Sequence, residues 1–263
     1  MTDLRPASGK VEWHLTYGCN IAPRVPGGFR CMACNRASFL DEPHTPDMAM
    51  ADAEEFCRQA DALDWHPRVI IIGGEPTMMP NFKEFVQFAT DWSKQWVQVF
   101  SHGLGAGTQR KLNDLVHIRG AGASVNQETK KPNGAVMERE DHLAWTDDIF
   151  VSPADFGHPD REPCYQHASQ LCGISVDAEG YAPCALGGMV DGILKVGGRT
   201  KRLADLFDPA KMEDLTKRLC KHCGQQITLI RPNWVSREQV DACEKKFGTP
   251  MSPTWVKAFE DRR

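Results

Sequence analysis

The sequence predicts an α/β fold built on a parallel sheet, and two observations support this prediction. Short apolar runs alternate with segments of helical spacing along the first 150 residues. The clearest strand is Arg68–Ile72 (RVIII), a continuous apolar run typical of a strand covered on both faces. In such sheets the loops after the carboxyl ends of the strands form the ligand site, so the residues there are the functional candidates.

The predicted elements follow one another in order along the chain. Further strands are expected at 11–17, 97–100, 121–126 and 149–152. Helices are expected at 48–63, 82–96, 108–115 and 209–219. Asp47 is a reasonable cap for the first helix. Residues 20–47 are rich in Pro, Gly, Arg and Cys and predict a long loop, which is either functional or disordered. Residues 174–184 predict a β-hairpin that turns at 178–180.

Composition and charge limit the class of protein. A chain of 263 residues can form one large domain, or one domain with a small appendage. With 31 basic and 35 acidic residues the net charge is −4, which argues against a nucleic-acid partner. No apolar run is long enough to span a bilayer and the first residues lack a secretory signal, so we expect a cytoplasmic protein without a membrane partner.

Ten cysteines are unusually many for such a chain. In a reducing compartment, clustered cysteines bind metal or take part in redox chemistry. Cys57 and Cys243 stand alone in helical segments, and we interpret them as buried thiols that pack as small hydrophobes. The other eight fall into two groups, within 19–34 and within 164–223.

The first group, Cys19, Cys31 and Cys34, places three thiolates on the loop after the first strand. A closed zinc site requires four ligands, whereas an iron–sulfur cluster held by three cysteines leaves one iron free to bind another group. His14 or His44 could complete a zinc site. The cysteines alone therefore leave zinc and iron–sulfur as equal alternatives.

A second motif, Gly73-Gly74-Glu75-Pro76, follows the buried strand Arg68–Ile72. The glycines let the backbone approach a ligand closely, Glu75 offers an acceptor for an ammonium group, and Pro76 makes the exit rigid. Alone, this tetrapeptide is also typical of a plain tight turn. Together with the cysteine loop one α/β unit upstream, it resembles the radical S-adenosylmethionine (SAM) superfamily.

The resemblance implies a partial (β/α)6 TIM-like barrel over residues 1–160, with Cys19, Cys31 and Cys34 on a 4Fe–4S cluster and GGEP at the SAM methionine amine. It implies reductive cleavage of SAM to a 5′-deoxyadenosyl radical that abstracts hydrogen from a substrate. A donor such as flavodoxin or ferredoxin would supply the electron. Many members have three residues between the first two cysteines and this chain has eleven, at 20–30, so the subfamily stays open.

Polar residues at two further strand ends are weaker candidates. Ser101 follows the third strand, and Ser124 and Asn126 end the fourth, where members of the superfamily often place groups near the cofactor. For these residues a plain turn at a strand end is an equally good interpretation.

The second group consists of Cys164, Cys172, Cys184, Cys220 and Cys223. Four of them could bind zinc, because a hairpin followed by CxxC is ordinary zinc-ribbon anatomy. In the context of the resemblance, residues 161–263 are similar to the SPASM and twitch extensions, which carry auxiliary 4Fe–4S clusters. One auxiliary cluster is expected, on Cys184, Cys220 and Cys223 with either Cys172 or Cys164.

The predicted function is therefore radical SAM chemistry on a peptide or small metabolite, as an oxidative or rearrangement modification. Two alternatives remain. One is a non-catalytic zinc or cysteine-rich binding protein, and the other is a radical SAM enzyme whose C-terminal site holds structural zinc.

Overall fold

A six-stranded sheet organises the part of the chain that the structure describes. Its strands are β1 (Lys10–His14), β2 (Arg68–Ile72), β3 (Val97–Ser101), β4 (Ala121–Val125), β5 (Ile174–Asp177) and β6 (Gly180–Ala182). They lie in the order β4-β3-β2-β1-β5-β6, and every neighbouring pair is parallel except the hairpin β5–β6. The structure, a computed structural model, describes residues 9–20, 37, 42–103, 105–125, 150–159, 173–225, 236–247 and 251–262. The predicted α/β class with a parallel sheet is confirmed.

Seven α-helices lie within the described ranges. They are α1 (Met50–Ala62), α2 (Phe82–Ser93), α3 (Ala106–Asp114), α4 (Gly187–Leu194), α5 (Pro209–Cys220), α6 (Arg237–Phe247) and α7 (Pro253–Glu260). The predicted helices are confirmed, with α2 ending early because Lys94 adopts a left-handed conformation (φ 53°). In the parts of the chain described, no helix combines the length and the apolarity needed to cross a membrane.

The start of α1 corrects one prediction. Asp47 does not cap this helix, which begins after Ala49. The amide of Met48 donates to the carbonyl of Leu15 (2.8 Å), so the chain still follows the end of β1 at this point. The amide of Ala49 is instead bound by the side chain of Asp52 (2.8 Å), an acidic residue inside the first turn.

The strand predicted at 149–152 is wrong for its described part, 150–152. These residues bond to the segment that precedes α7 and not to a neighbouring strand. The amide of Ser152 donates to Ser252 Oγ (2.9 Å), and the amide of Ser252 donates to the carbonyl of Phe150 (3.1 Å). A short 3₁₀ helix, Pro153–Phe156, follows at once.

The predicted hairpin is confirmed, and it joins the main sheet. β5 pairs in parallel with β1, with Val11 opposite Ile174 and Trp13 opposite Val176. The sheet therefore includes strands from both sides of the predicted boundary at residue 160. The partial barrel and the separate C-terminal extension stay predictions.

Helices α1 and α2 pack into one core with β1. Their buried residues are Ala53, Phe56, Cys57 and Ala60 in α1, and Phe82, Phe85, Val86, Ala89 and Ser93 in α2. Spacings of three and four place each set on one helix face. The fully buried ring of Trp13 meets Phe56 edge to face, with centroids 5.8 Å apart. This core holds β1 and β2 from the side and leaves the loops at their carboxyl ends to form a site.

A buried ion-pair network fastens the hairpin to the residues that follow β1. The Arg199 side chain, 4% exposed, donates from Nη2 to Asp177 Oδ2 (2.7 Å) and from Nη1 to Glu179. Tyr17 Oη donates to the same Asp177 oxygen (3.0 Å). A Cβ at Gly188 of α4 would lie 2.7 Å from Asp177 Oδ2, so a side chain there would displace the network. Buried charges need such partners, because an unpaired one is costly.

Arg199→Met removes the cation and leaves the buried Asp177 carboxylate without its charged partner. We expect a loss of about 3–5 kcal/mol in the free energy of unfolding, measured by urea denaturation. The matched control is Lys195→Met, because Lys195 is 53% exposed and pairs with Glu179 at 3.1 Å. That pair contributes at most about 1 kcal/mol. Equal stabilities of the two variants would contradict the role given to Arg199.

Candidate functional site

The loops after β1, β2 and β3 meet at one edge of the sheet. These strands are parallel neighbours, so their carboxyl ends point the same way. The three loops carry Thr16–Asn20, Gly73–Thr77 and Ser101–Gly103 in turn. The edge thereby brings the first predicted cysteine close to the GGEP motif.

Direct hydrogen bonds connect the cysteine loop to GGEP. The amide of Gly74 donates to the carbonyl of Thr16 (2.7 Å), and the amide of Glu75 donates to the carbonyl of Gly18 (2.9 Å). The amide of Gly18 is bound by Thr16 Oγ1 (3.0 Å). The backbone that precedes Cys19 is therefore fixed by the GGEP turn.

Gly73 is needed for the packing of this turn. A Cβ at position 73 would lie 2.2 Å from the carbonyl oxygen of Thr16. The sequence had indicated that the two glycines allow a ligand to approach. At Gly73 the structure gives a reason within the chain, because the space of the missing side chain is taken by Thr16.

The Glu75 carboxylate is fully buried and is surrounded by donors from two loops. One oxygen, Oε1, accepts from Thr77 N (3.0 Å) and Thr77 Oγ1 (2.7 Å). The other, Oε2, accepts from Ser101 Oγ (2.9 Å) and from the amide of His102 (3.0 Å). In the described contacts Glu75 holds the GGEP turn to the end of β3. Its contact with a ligand ammonium stays a prediction.

His102 is a site residue to which the sequence analysis gave no role. Its ring is 6% exposed, and Nε2 lies 2.8 Å from Asn20 Oδ1 and 3.1 Å from Glu75 Oε2. Burial lowers the pKa of His102 and outweighs the nearby Glu75 carboxylate, which raises it. Both oxygens near Nε2 are acceptors, so the tautomer that suits these two contacts carries its proton on Nε2. A Ser-His-Gly sequence at a strand end was the available signal.

The other predicted cofactor contacts are placed as follows. Pro76 is buried and opens a 3₁₀ turn, Pro76–Met78. Ser101 Oγ accepts from the amide of Gly103 (3.0 Å) besides donating to Glu75. Ser124 lies in β4 opposite Phe100, and its side chain is outside the described part. Asn126 lies outside the described residues altogether.

The structure places part of the predicted metal ligands. Cys19, Cys184, Cys220 and Cys223 are half-buried, whereas Cys31, Cys34, Cys164 and Cys172 lie outside the described residues. Within the described ranges, no three His, Cys, Asp or Glu side chains form a group that could hold a metal ion. Both metal sites therefore stay predictions. The two isolated cysteines, Cys57 and Cys243, are buried as predicted, and burial raises the pKa of each thiol.

The two histidines considered as zinc ligands both contact the ring of Tyr17. The His14 ring stacks on the Tyr17 ring at 5.4 Å, and the His44 ring lies 4.0 Å from it. His44 Nδ1 is also 3.0 Å from Thr45 Oγ1. Both histidines are buried, and each contacts the aromatic residue two positions before Cys19.

The turn between the last two cysteines is held from two sides. The carbonyl of Lys221 accepts from Ala154 N and Ser152 Oγ, each at 3.0 Å. The carbonyl of His222 accepts from Trp255 Nε1 of α7 (2.8 Å). The backbone of the CxxC turn is thus fixed by segments that carry no predicted ligand.

Comparisons with known proteins gave weak likenesses. No protein-family model matches the chain, and no curated protein matches it. The crystal structure of BtrN in complex with AdoMet and 2-DOIA has a TM-score of 0.49 and 17% identity, covering 82% of this chain and 93% of that one. Selenomethionine BtrN in an open conformation has a TM-score of 0.43 and 14% identity, covering 84% of this chain and 89% of that one.

Gly73→Ala tests the close approach of the two loops. The added Cβ has to displace the Thr16 carbonyl, and overpacking of this kind costs about 1–3 kcal/mol in the free energy of unfolding. The matched control is Gly107→Ala in α3, where nothing lies within 4 Å of the added atom. In that helix the change stabilises by about 0.5–1 kcal/mol. Urea unfolding measures both, and a tolerated Gly73→Ala would show that the loops are not in this contact.

Proposed function

We propose that this protein is a radical SAM enzyme, which cleaves SAM reductively and removes hydrogen from an organic substrate. We base the proposal on one observation, the hydrogen bond from the amide of Glu75 to the carbonyl of Gly18 (2.9 Å). It joins a GGEP turn to the residue before Cys19, the first of the three cysteines on the loop after β1. A plain tight turn has no need of such a partner.

The residues at this edge suit a 4Fe–4S cluster and SAM. Cys19 would hold one iron, with Cys31 and Cys34 as the expected partner ligands, and three thiolates leave the fourth iron to the cofactor. Once bound, the cluster and SAM supply the electron transfer and the radical chemistry. GGEP lies against the start of the cysteine loop, and there it would contact the amino-acid end of SAM beside the cluster.

The chain's own part is to hold this arrangement before the cofactor binds. Glu75 and its donors keep the turn rigid, so a ligand does not have to order it on binding. Lys111 Nζ adds a second support, because it donates to the carbonyls of Thr77 (2.7 Å) and Met79 (2.8 Å). Both carbonyls lie within the three residues that follow GGEP.

We propose the finer features on the cysteine pattern and on the resemblance to the superfamily. Residues 161–263 would add a twitch-like site with one auxiliary 4Fe–4S cluster, or zinc in its place. The substrate would be a peptide or a small metabolite, and flavodoxin or ferredoxin would donate the electron. The protein would act in the cytoplasm, where thiolates stay reduced.

Anaerobic reconstitution with iron and sulfide, followed by metal analysis, separates these alternatives. Two 4Fe–4S clusters give about eight irons per chain, and a structural zinc in the second site gives about four irons and one zinc. A non-catalytic zinc protein holds zinc and little iron. Addition of dithionite and SAM then tests activity, with 5′-deoxyadenosine detected by chromatography.

Cys31→Ala is expected to lose the first cluster and, with it, all formation of 5′-deoxyadenosine above the background without protein. Cys57→Ala is the matched control, because its thiol is buried in α1 and belongs to neither cysteine group. That variant should keep both iron and product, because Cys57 is not among the expected ligands. No 5′-deoxyadenosine from cluster-loaded wild type, or full activity in Cys31→Ala, would sink the proposal.

A further inference from the structure

Both neighbours of Cys19 are held by contacts that lead to Glu75. On one side the carbonyl of Gly18 accepts from the amide of Glu75 (2.9 Å). On the other side Asn20 Oδ1 lies 2.8 Å from His102 Nε2, which lies 3.1 Å from Glu75 Oε2. Glu75 therefore contacts one neighbour of the first cysteine directly and the other through His102.

The chemistry of His102 suits a connecting role. Its main-chain amide donates to Glu75 Oε2 (3.0 Å), which holds the residue against the carboxylate from a second direction. The ring offers one N–H that lies within reach of two acceptors, the Glu75 carboxylate and the Asn20 amide oxygen. A hydrogen bond to a charged acceptor in a buried site is strong and directional. Asn20 itself is exposed, so His102 supplies a buried anchor for an exposed side chain.

We propose that His102 is a positioning residue. It connects Glu75 to Asn20 and so fixes the residue that follows Cys19. It thereby sets the distance between the first cluster ligand and the turn that receives SAM. This inference rests on the proposed function, because it assigns the contact to that same cofactor site. Without His102, SAM would have to order the loop when it binds, and its affinity would fall.

The test measures the affinity of the anaerobically reconstituted protein for SAM by equilibrium dialysis. His102→Leu should raise the Kd for SAM about tenfold, which corresponds to about 1.4 kcal/mol. Iron content should not change, because His102 is not a ligand. His102→Gln, whose amide can still donate, should restore most of the affinity. The SAM-induced change in the electron paramagnetic resonance signal of the reduced cluster should need correspondingly more SAM in His102→Leu.

Asn20→Ala provides the second arm, because an exposed side chain can be removed without harm to the fold. It should weaken SAM binding by about the same factor as His102→Leu. The double variant should also be about tenfold weaker and not hundredfold, since both changes break one connection. His66→Leu is the matched control, because His66 is 48% exposed and meets Asp61 at 3.1 Å on the surface. It should leave SAM affinity unchanged.

Hydrogen exchange of the metal-free protein separates this inference from the proposed function. His102→Leu and Asn20→Ala should each speed exchange in peptides that cover 16–20 and 73–75. If wild type neither binds nor cleaves SAM, the proposed function fails, and faster exchange in both variants would still support the connection through His102. If wild type binds SAM and both variants bind it equally well, or if their effects multiply, the positioning role is wrong.

Discussion

The burial of the Glu75 carboxylate is the constraint on which the candidate site depends. A charge that is removed from water has to be met by donors, or its cost would unfold the site. Here the donors come from Thr77 within its own turn and from Ser101 and His102 at the end of β3. Satisfying one carboxylate therefore fixes two loops relative to each other. The cysteine loop joins them because its carbonyls take the neighbouring amides of the turn.

Local patterns allowed much of the fold to be predicted, and long-range pairing set the rest. The continuous apolar run of β2 and the spacing of α1 and α2 are properties of short segments, so they could be read from the sequence. That β5 pairs with β1 could not, since this pairing depends on contacts between segments far apart in the chain. The start of α1 differed for the same reason. Leu15, directly after β1, accepts from the amide of Met48, and the helix begins beyond the predicted cap, Asp47.

The candidate site, too, could be predicted only in part. GGEP and the first cysteine were recognisable as motifs, and the parallel sheet explains why they meet. The packing role of Gly73 could not be predicted, because the atom that fills the space of its missing side chain is the carbonyl oxygen of Thr16, in the loop after β1. His102 was missed because its partners, Asn20 and Glu75, lie on two other loops. A motif gives the residue types of a site, whereas the contacts that position them come from the fold.

A second buried network supports the cysteine loop from the hairpin. Tyr17 donates to Asp177, and Arg199 neutralises that carboxylate, so β5 is tied to the residue two positions before Cys19. Helix α4 approaches this polar cluster closely because Gly188 has no side chain. Glycine is a poor helix former, and its presence in a helix that is buried from Gly187 to Ile193 indicates that close approach outweighs the cost of about 1 kcal/mol. The loop that begins the predicted cluster site is thus held between two satisfied carboxylates, Glu75 toward β3 and Asp177 toward the hairpin. Both carboxylates already have their hydrogen-bond partners, so Cys19 keeps its position at the sheet edge without a change in either network.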